Sequence, residues 1–162
     1  MTDFISELNS YFQIPSEIIN LLVSIILIFL AISLILHLIQ SFGLYRMAKN
    51  LDIQNPWASF IPIINLYILG KIIKNLKIGS YETSEPEKTL PIITIVCTFF
   101  SLFPIIGIIV SLIPALVYFF AAYKLFKIYK PNKANLMIIV SSILPFMLPI
   151  YIFMLRNETV KD

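Results

Sequence analysis

The sequence predicts an all-α fold: a polytopic integral membrane helical bundle of about four transmembrane helices, with a bent re-entrant or short helix and an N-terminal amphipathic helix. Three observations predict it. Of 162 residues, 59% are hydrophobic and 13% charged, whereas soluble domains are about 45–50% apolar and about a quarter charged. Mean hydropathy is +0.90. The apolar residues come in long runs without formal charge, Ile18–Tyr45 and Thr89–Tyr123, and roughly 20 such residues cross a bilayer. The cations stand at the ends of these runs, so the net charge of +3 reads as a topology signal and not as a nucleic-acid footprint. One domain is expected over 1–162. Usage rich in Ile, Lys and Asn hints at an AT-rich bacterial genome, and the expected location is the bacterial cytoplasmic (inner) membrane.

Residues 2–12 read as an amphipathic helix at the membrane surface, with Phe4, Ile5, Leu8, Tyr11 and Phe12 at helical spacing. The first 17 residues carry Asp3, Glu7 and Glu17 and no Lys or Arg. A signal peptide opens with positive charge, so none is expected. Helix 1 is expected over 17–48. Ser33, His37, Gln40 and Ser41 fall on one of its faces, and polar groups at that depth should face other helices or a cleft. The plainer reading of His37 is a neutral imidazole bonded to a neighbouring helix or to headgroup water near the interface. The sharper one is a member of an intramembrane polar site with Ser33, Gln40 and Asn65.

After the cations Arg46 and Lys49, Asn55-Pro56 suits a helix start, and a bent short helix is expected over 55–75. Pro62 removes one backbone hydrogen bond and kinks it. It is either a shallow re-entrant element packed on helix 1 or a kinked short span. Residues 76–88 read as a polar loop. Thr89–Tyr123 as one straight helix would be about 52 Å, far beyond a core of about 30 Å. Phe103-Pro104 and Gly107 are the natural break, giving helix 2 over 89–103 and helix 3 over 105–128. Gly107, Ser111 and Ala115 form a small-xxx-small packing face. Lys124, Lys127, Lys130 and Lys133 then make the densest basic cluster, explained by topology or by anionic lipid headgroups. Helix 4 is expected over 134–155.

An echo links Phe42–Lys49 with Phe120–Lys127, 78 residues later. Each copy ends an uncharged helix with Tyr, a cation and a further Lys, and each precedes a proline-bent apolar stretch. A parallel duplication and the common look of cytoplasmic helix ends explain it equally. The positive-inside rule favours a threading with residues 43–88 and 124–133 in the cytoplasm and the N-terminus outside.

Chemistry is sparse. One His and one Cys leave no usual zinc ligand set, and no phosphate loop or metalloprotease motif is present. No catalytic residue, metal or cofactor is expected. His37 and Ser33 lie one turn apart, but nothing evident orients them as base and nucleophile.

The run Tyr45-Arg46-Met47-Ala48-Lys49, followed by Asn55-Pro56-Trp57, Ile61-Pro62, Asn65 and Tyr67, resembles a family of small bacterial multi-pass membrane proteins of unknown function, sometimes encoded with signal-peptidase-like proteins. The resemblance covers about residues 40–155. It implies the membrane class and makes Asn55, Pro56, Trp57, Pro62, Asn65 and Tyr67 structural signature positions. It brings no reaction. The acidic N-terminus and the longer 76–88 loop depart from the family.

Three functions follow in order: an accessory, interaction or regulatory membrane protein acting by helix packing; a subunit of a small oligomeric channel or transporter lined by Ser33, His37, Gln40 and Asn65; and, disfavoured, an intramembrane hydrolase. The expected partners are the lipid bilayer, anionic lipids, and a second copy or another membrane protein, with no nucleic acid.

Overall fold

A computed structural model describes residue 4 and residues 15–160. The amphipathic helix expected over 2–12 lies, apart from Phe4, outside the described residues. Among the described residues the chain is mostly helical (76%), with six α-helices and one two-stranded sheet. The chain divides into two compact units, Met1–Leu36 and His37–Asp162. The described part of the first unit is a single stretch of helix, which has no core of its own.

Helix α1 runs Ser16–Asn50, with Glu17 in its first turn and Lys49 in its last, the arrangement that complements a helix dipole. Only 6% of its most apolar 18-residue window is buried. Its C-terminal end enters the core of the second unit, where Leu44, Met47 and Ala48 are buried together with Ile68, Leu69 and Ile152.

The chain then turns through Asp52 and Asn55, both at positive φ, into a 3-10 turn, Pro56–Phe60. Pro56 takes the first position as expected. Asn55 stands at the N-cap in the left-handed region and caps with no side-chain hydrogen bond. The expected bend at Pro62 is a full break. The residue before a proline is driven to extended backbone, and Ile61 has φ −88 and ψ 121. Ile63 then sits at φ 69. A β-branched residue there is strained by about 1–3 kcal/mol. Helix α2, Ile64–Ile73, follows.

Phe60 stands beside His37, whereas the Ile53 N–H is tied to the Ala48 carbonyl and Ile72 and Ile73 share a cavity with Leu51. At 1.5 Å per residue, His37 lies roughly 20 Å up the helix from Asn50. The segment therefore runs up along α1 and comes back.

The expected polar loop over 76–88 is instead a β-hairpin and a helix start. Strands β1, Leu76–Ile78, and β2, Tyr81–Thr83, pair antiparallel, with Lys77 opposite Glu82. Gly79, at φ 60, makes the turn with Ser80, a conformation glycine adopts freely. Helix α3 is Pro86–Phe100, shifted from the expected 89–103 because Pro86 and Glu87 serve as its first turn. Lys88 donates to Glu85 at 3.0 Å. Helix α4, Pro104–Tyr129, starts after a tight corner and covers the expected 105–128.

The expected helix 4 is two helices, α5, Ala134–Ile143, and α6, Met147–Met154, closed by a 3-10 turn over Leu155–Asn157. Leu144, before Pro145, has left the helical region at φ −123 and ψ 85, pushed by the same proline rule that breaks the chain at Ile61. At roughly 15 and 12 Å, neither piece crosses a core of about 30 Å. They pack on each other, and the chain returns to where it left: Lys130 pairs with Glu158 at 2.8 Å, and the Asn50 amide donates to the Arg156 carbonyl. Each half of the echo thus ends a long helix and is followed by a broken, returning segment.

Among the described residues two helices are long and apolar enough to cross a membrane, Ser16–Asn50 and Gly107–Tyr129. Helix α3 has 15 residues and reaches roughly 22 Å.

Candidate functional site

The polar residues of α1 meet the central segment at one node. The carbonyl of Phe60, at the end of its 3-10 turn, lacks a helical partner, as helix ends do. His37 Nε2 lies 3.1 Å from it. A carbonyl only accepts, so Nε2 carries the proton. Ser41 Oγ lies 3.4 Å from the same nitrogen and takes the weaker share. Ser59 Oγ donates to the Ser41 carbonyl at 3.1 Å and to the Pro56 carbonyl at 2.9 Å. Around these bonds Phe60 packs edge-on against Phe42, centroids 4.9 Å apart, and at a tilt against Tyr45, 5.8 Å away. Each donated proton ends on a carbonyl or a hydroxyl, so the geometry holds the turn against α1. It poises no nucleophile against a base.

The four residues expected to form one polar site are not gathered in it. His37 is in the node. Asn65 is buried beyond the Pro62 break, its N–H on the Ile61 carbonyl at 2.9 Å. Gln40 is buried and lines a different cavity of about 360 Å³ with Tyr118, Ser141, Ser142, Pro145 and Pro149. Ser33 belongs to the first unit and is exposed. The Tyr118 hydroxyl is buried with no hydrogen-bond partner among the described residues. Ser141 and Ser142 spend their protons on the carbonyls of Met137 and Ile138.

Of the signature positions, Asn55, Trp57 and Pro62 are exposed, Pro56 and Tyr67 half-buried and Asn65 buried. Lys71 lies 4.8 Å over the Tyr67 ring.

The small-xxx-small face is packed only at its start. A Cβ on Gly107 would come 2.5 Å from the Ser101 carbonyl oxygen, so this glycine shapes the α3–α4 corner. Ser111 and Ala115 are exposed. The close helix crossings lie elsewhere. A Cβ on Gly70 would come 2.3 Å from the Glu87 backbone, and one on Gly43 2.9 Å from the Ile152 carbonyl oxygen. Sequence reasoning missed both, although a signal existed. Glycine inside a helix costs about 1 kcal/mol relative to alanine, so it marks a place with a packing reason. Ser59 and Tyr118 had no comparable signal.

The four-lysine cluster is also divided. Lys124 and Lys127 line a cavity of about 280 Å³ with Lys77, Asn75 and Glu82. Lys130 is paired with Glu158, and Lys133 is exposed. Cys97 is buried and free. No group of three or more His, Cys, Asp or Glu able to hold a metal stands together among the described residues.

No protein-family model matches the chain, and neither a curated protein nor a solved structure is significantly similar to it.

Proposed function

We propose that the chain is an integral protein of the bacterial cytoplasmic membrane that acts as an accessory or regulatory partner through helix packing, in keeping with the family its Asn55–Tyr67 core resembles. One observation carries this reading. The apolar windows of α1 and α4 are only 6% and 17% buried, so lipid or a partner helix has to cover them. The polar node supports a packing role, because its protons are committed to holding backbone together. A channel lined by Ser33, His37, Gln40 and Asn65 has less support, since His37 and Gln40 sit in different surroundings.

The proposed threading has three crossings. α1 crosses inward, α4 crosses inward again, and the outward arm between them is α3 with the 101–103 corner, whose 15 helical residues reach roughly 22 Å. The segments 51–75 and 134–157 dip in from the cytoplasmic face and return to it. The N-terminus is then outside, as the charge distribution predicts, and the C-terminus inside. The returning ends beside Asn50 and Lys130 support this over a fourth crossing.

The test has two steps. Carbonate-washed membranes should retain the full chain; release into the supernatant ends the membrane reading. Cross-linking at native abundance, followed by detergent purification, should recover a discrete second membrane protein or a second copy. Recovery of the bare monomer across cross-linkers of several lengths ends the packing role.

A further inference from the structure

Two cavities of unlike chemistry adjoin at the C-terminal part of α4. The first, of about 280 Å³, is lined by Lys77, Glu82, Lys124 and Lys127 with the Asn75 amide, over a floor of Leu76 and Phe120. A neighbouring hollow adds Lys74 beside the same Asn75 and Lys124. Four lysines thus converge against one glutamate. That glutamate is occupied by Lys77, 3.7 Å away, and Lys127 lies over the Tyr123 ring at 4.9 Å. Neither Lys74 nor Lys124 has an ion pair among the described residues. The second cavity, of about 380 Å³, is an apolar cleft lined by Phe119, Phe120, Tyr123, Ile138 and Ile139, with Asn135 at its edge. Phe120 and Tyr123 line both cavities. The Tyr123 hydroxyl is fixed at that border by its 2.8 Å bond to Asn135 Oδ1.

From this pair of cavities we infer a binding site for one anionic phospholipid, its phosphate among Lys77, Lys124, Lys127 and Asn75 and one acyl chain in the cleft beside Phe120 and Ile139. Lysine ammonium groups bind phosphate as point charges, and basic pockets between membrane helices hold anionic headgroups. The basic cavity is just below the roughly 300–1,000 Å³ of small-molecule sites, a size for a headgroup and not for a whole lipid. A free phosphate ion would satisfy the lysines but leave the apolar cleft without purpose. The joined cavities therefore favour the lipid. The position fits, because Lys124 and Lys127 stand near the end of a candidate span, where headgroups lie. The inference rests on the membrane reading above.

The test is native mass spectrometry of the detergent-solubilised full chain, titrated with phosphatidylglycerol, with phosphatidylcholine, and with inorganic phosphate as competitor. Phosphatidylglycerol should bind as a single retained adduct in preference to phosphatidylcholine. Lys124→Gln and Lys127→Gln should each weaken it roughly fivefold, while Lys133→Gln, the same charge change outside the cavity, leaves it unaltered. Ile139→Trp, which fills the cleft from an exposed position, should weaken both lipids alike. Equal loss from Lys133→Gln, or no preference between the lipids, overturns the site. Displacement by millimolar inorganic phosphate overturns the lipid as its occupant. A chain that carbonate releases into the supernatant refutes the membrane reading itself. One that is membrane-embedded yet indifferent to headgroup charge refutes only this inference.

Discussion

Gly43 of α1 and Ile152 of α6 meet backbone to backbone: a Cβ on the glycine would lie 2.9 Å from the Ile152 carbonyl oxygen and as close to the Phe153 Cα. Real Cβ atoms do not approach backbone that closely, and here the obstacle is helix and not a flexible side-chain tip. Gly43→Ala should therefore destabilise by about 1–3 kcal/mol through overpacking, outweighing the roughly 1 kcal/mol that alanine gains in helix propensity. At Gly70 the gap is 2.3 Å, so Gly70→Ala should cost more. Thermal unfolding in detergent should rank Gly70→Ala lowest in Tm, then Gly43→Ala, then wild type. A Gly43→Ala protein that melts above wild type contradicts the close crossing.

The His37 node makes a local prediction. His37→Ala leaves the half-buried Phe60 carbonyl without its donor, a loss of about 1 kcal/mol. The effect should concentrate on the turn that His37 holds. Amide exchange should quicken over residues 58–66, around the strained Ile63, while α3 and α4 keep their protection. Ser59→Ala should give a smaller change in the same segment, because it removes one hydroxyl shared by two carbonyls. Uniform acceleration across the second unit would mean that His37 serves the whole core and not the turn.

The Tyr118 hydroxyl is buried without a partner among the described residues. Such a group carries a desolvation cost of about 1–3 kcal/mol. Tyr118→Phe keeps the ring and removes the cost, so it should leave Tm unchanged or raise it. A fall in Tm would reveal an acceptor held in the cavity beside Gln40 and Ser142, and bound water or lipid would then be sought there.

Much of the second unit was legible where proline and charge speak locally. Pro62 and Phe103-Pro104 marked breaks that the structure has, because proline removes a donor and extends the residue before it whatever surrounds it. By the same rule Pro145 could have divided 134–155, but the apolar run masked it. The hairpin at 76–83 carried its own signal, two short stretches separated by Gly79-Ser80, which the charges around it obscured. The polar site was only half legible. Helical spacing put His37 and Gln40 on one face of α1, but which neighbour each meets depends on how the 51–75 and 134–157 segments fold back. Spacing on one helix carries no such information. The lysine cluster failed for the same reason: the residues that share a cavity with Lys124 and Lys127 include Lys77 of β1 and Glu82 of β2, and the partner of Lys130 is Glu158.

The returning C-terminal segment distinguishes the threadings in one experiment. Replace Cys97 by alanine, then introduce single cysteines by Ser84→Cys, Leu102→Cys and Val160→Cys, and treat intact cells with an impermeant thiol reagent. Leu102 is highly exposed at the α3–α4 corner, and Val160 is also exposed. Three crossings put only the cysteine at 102 outside, so it alone should label, and those at 84 and 160 should label after lysis. A fourth crossing by residues 134–155 would expose the cysteine at 160 in intact cells. Labelling at 84 would mean that the central stretch crosses the bilayer. The geometry argues against the fourth crossing. α5 and α6 reach only roughly 15 and 12 Å, and their far end lies against Asn50 and Lys130. Crossing would have to break those ties and place the Lys130–Glu158 pair on opposite faces of the membrane.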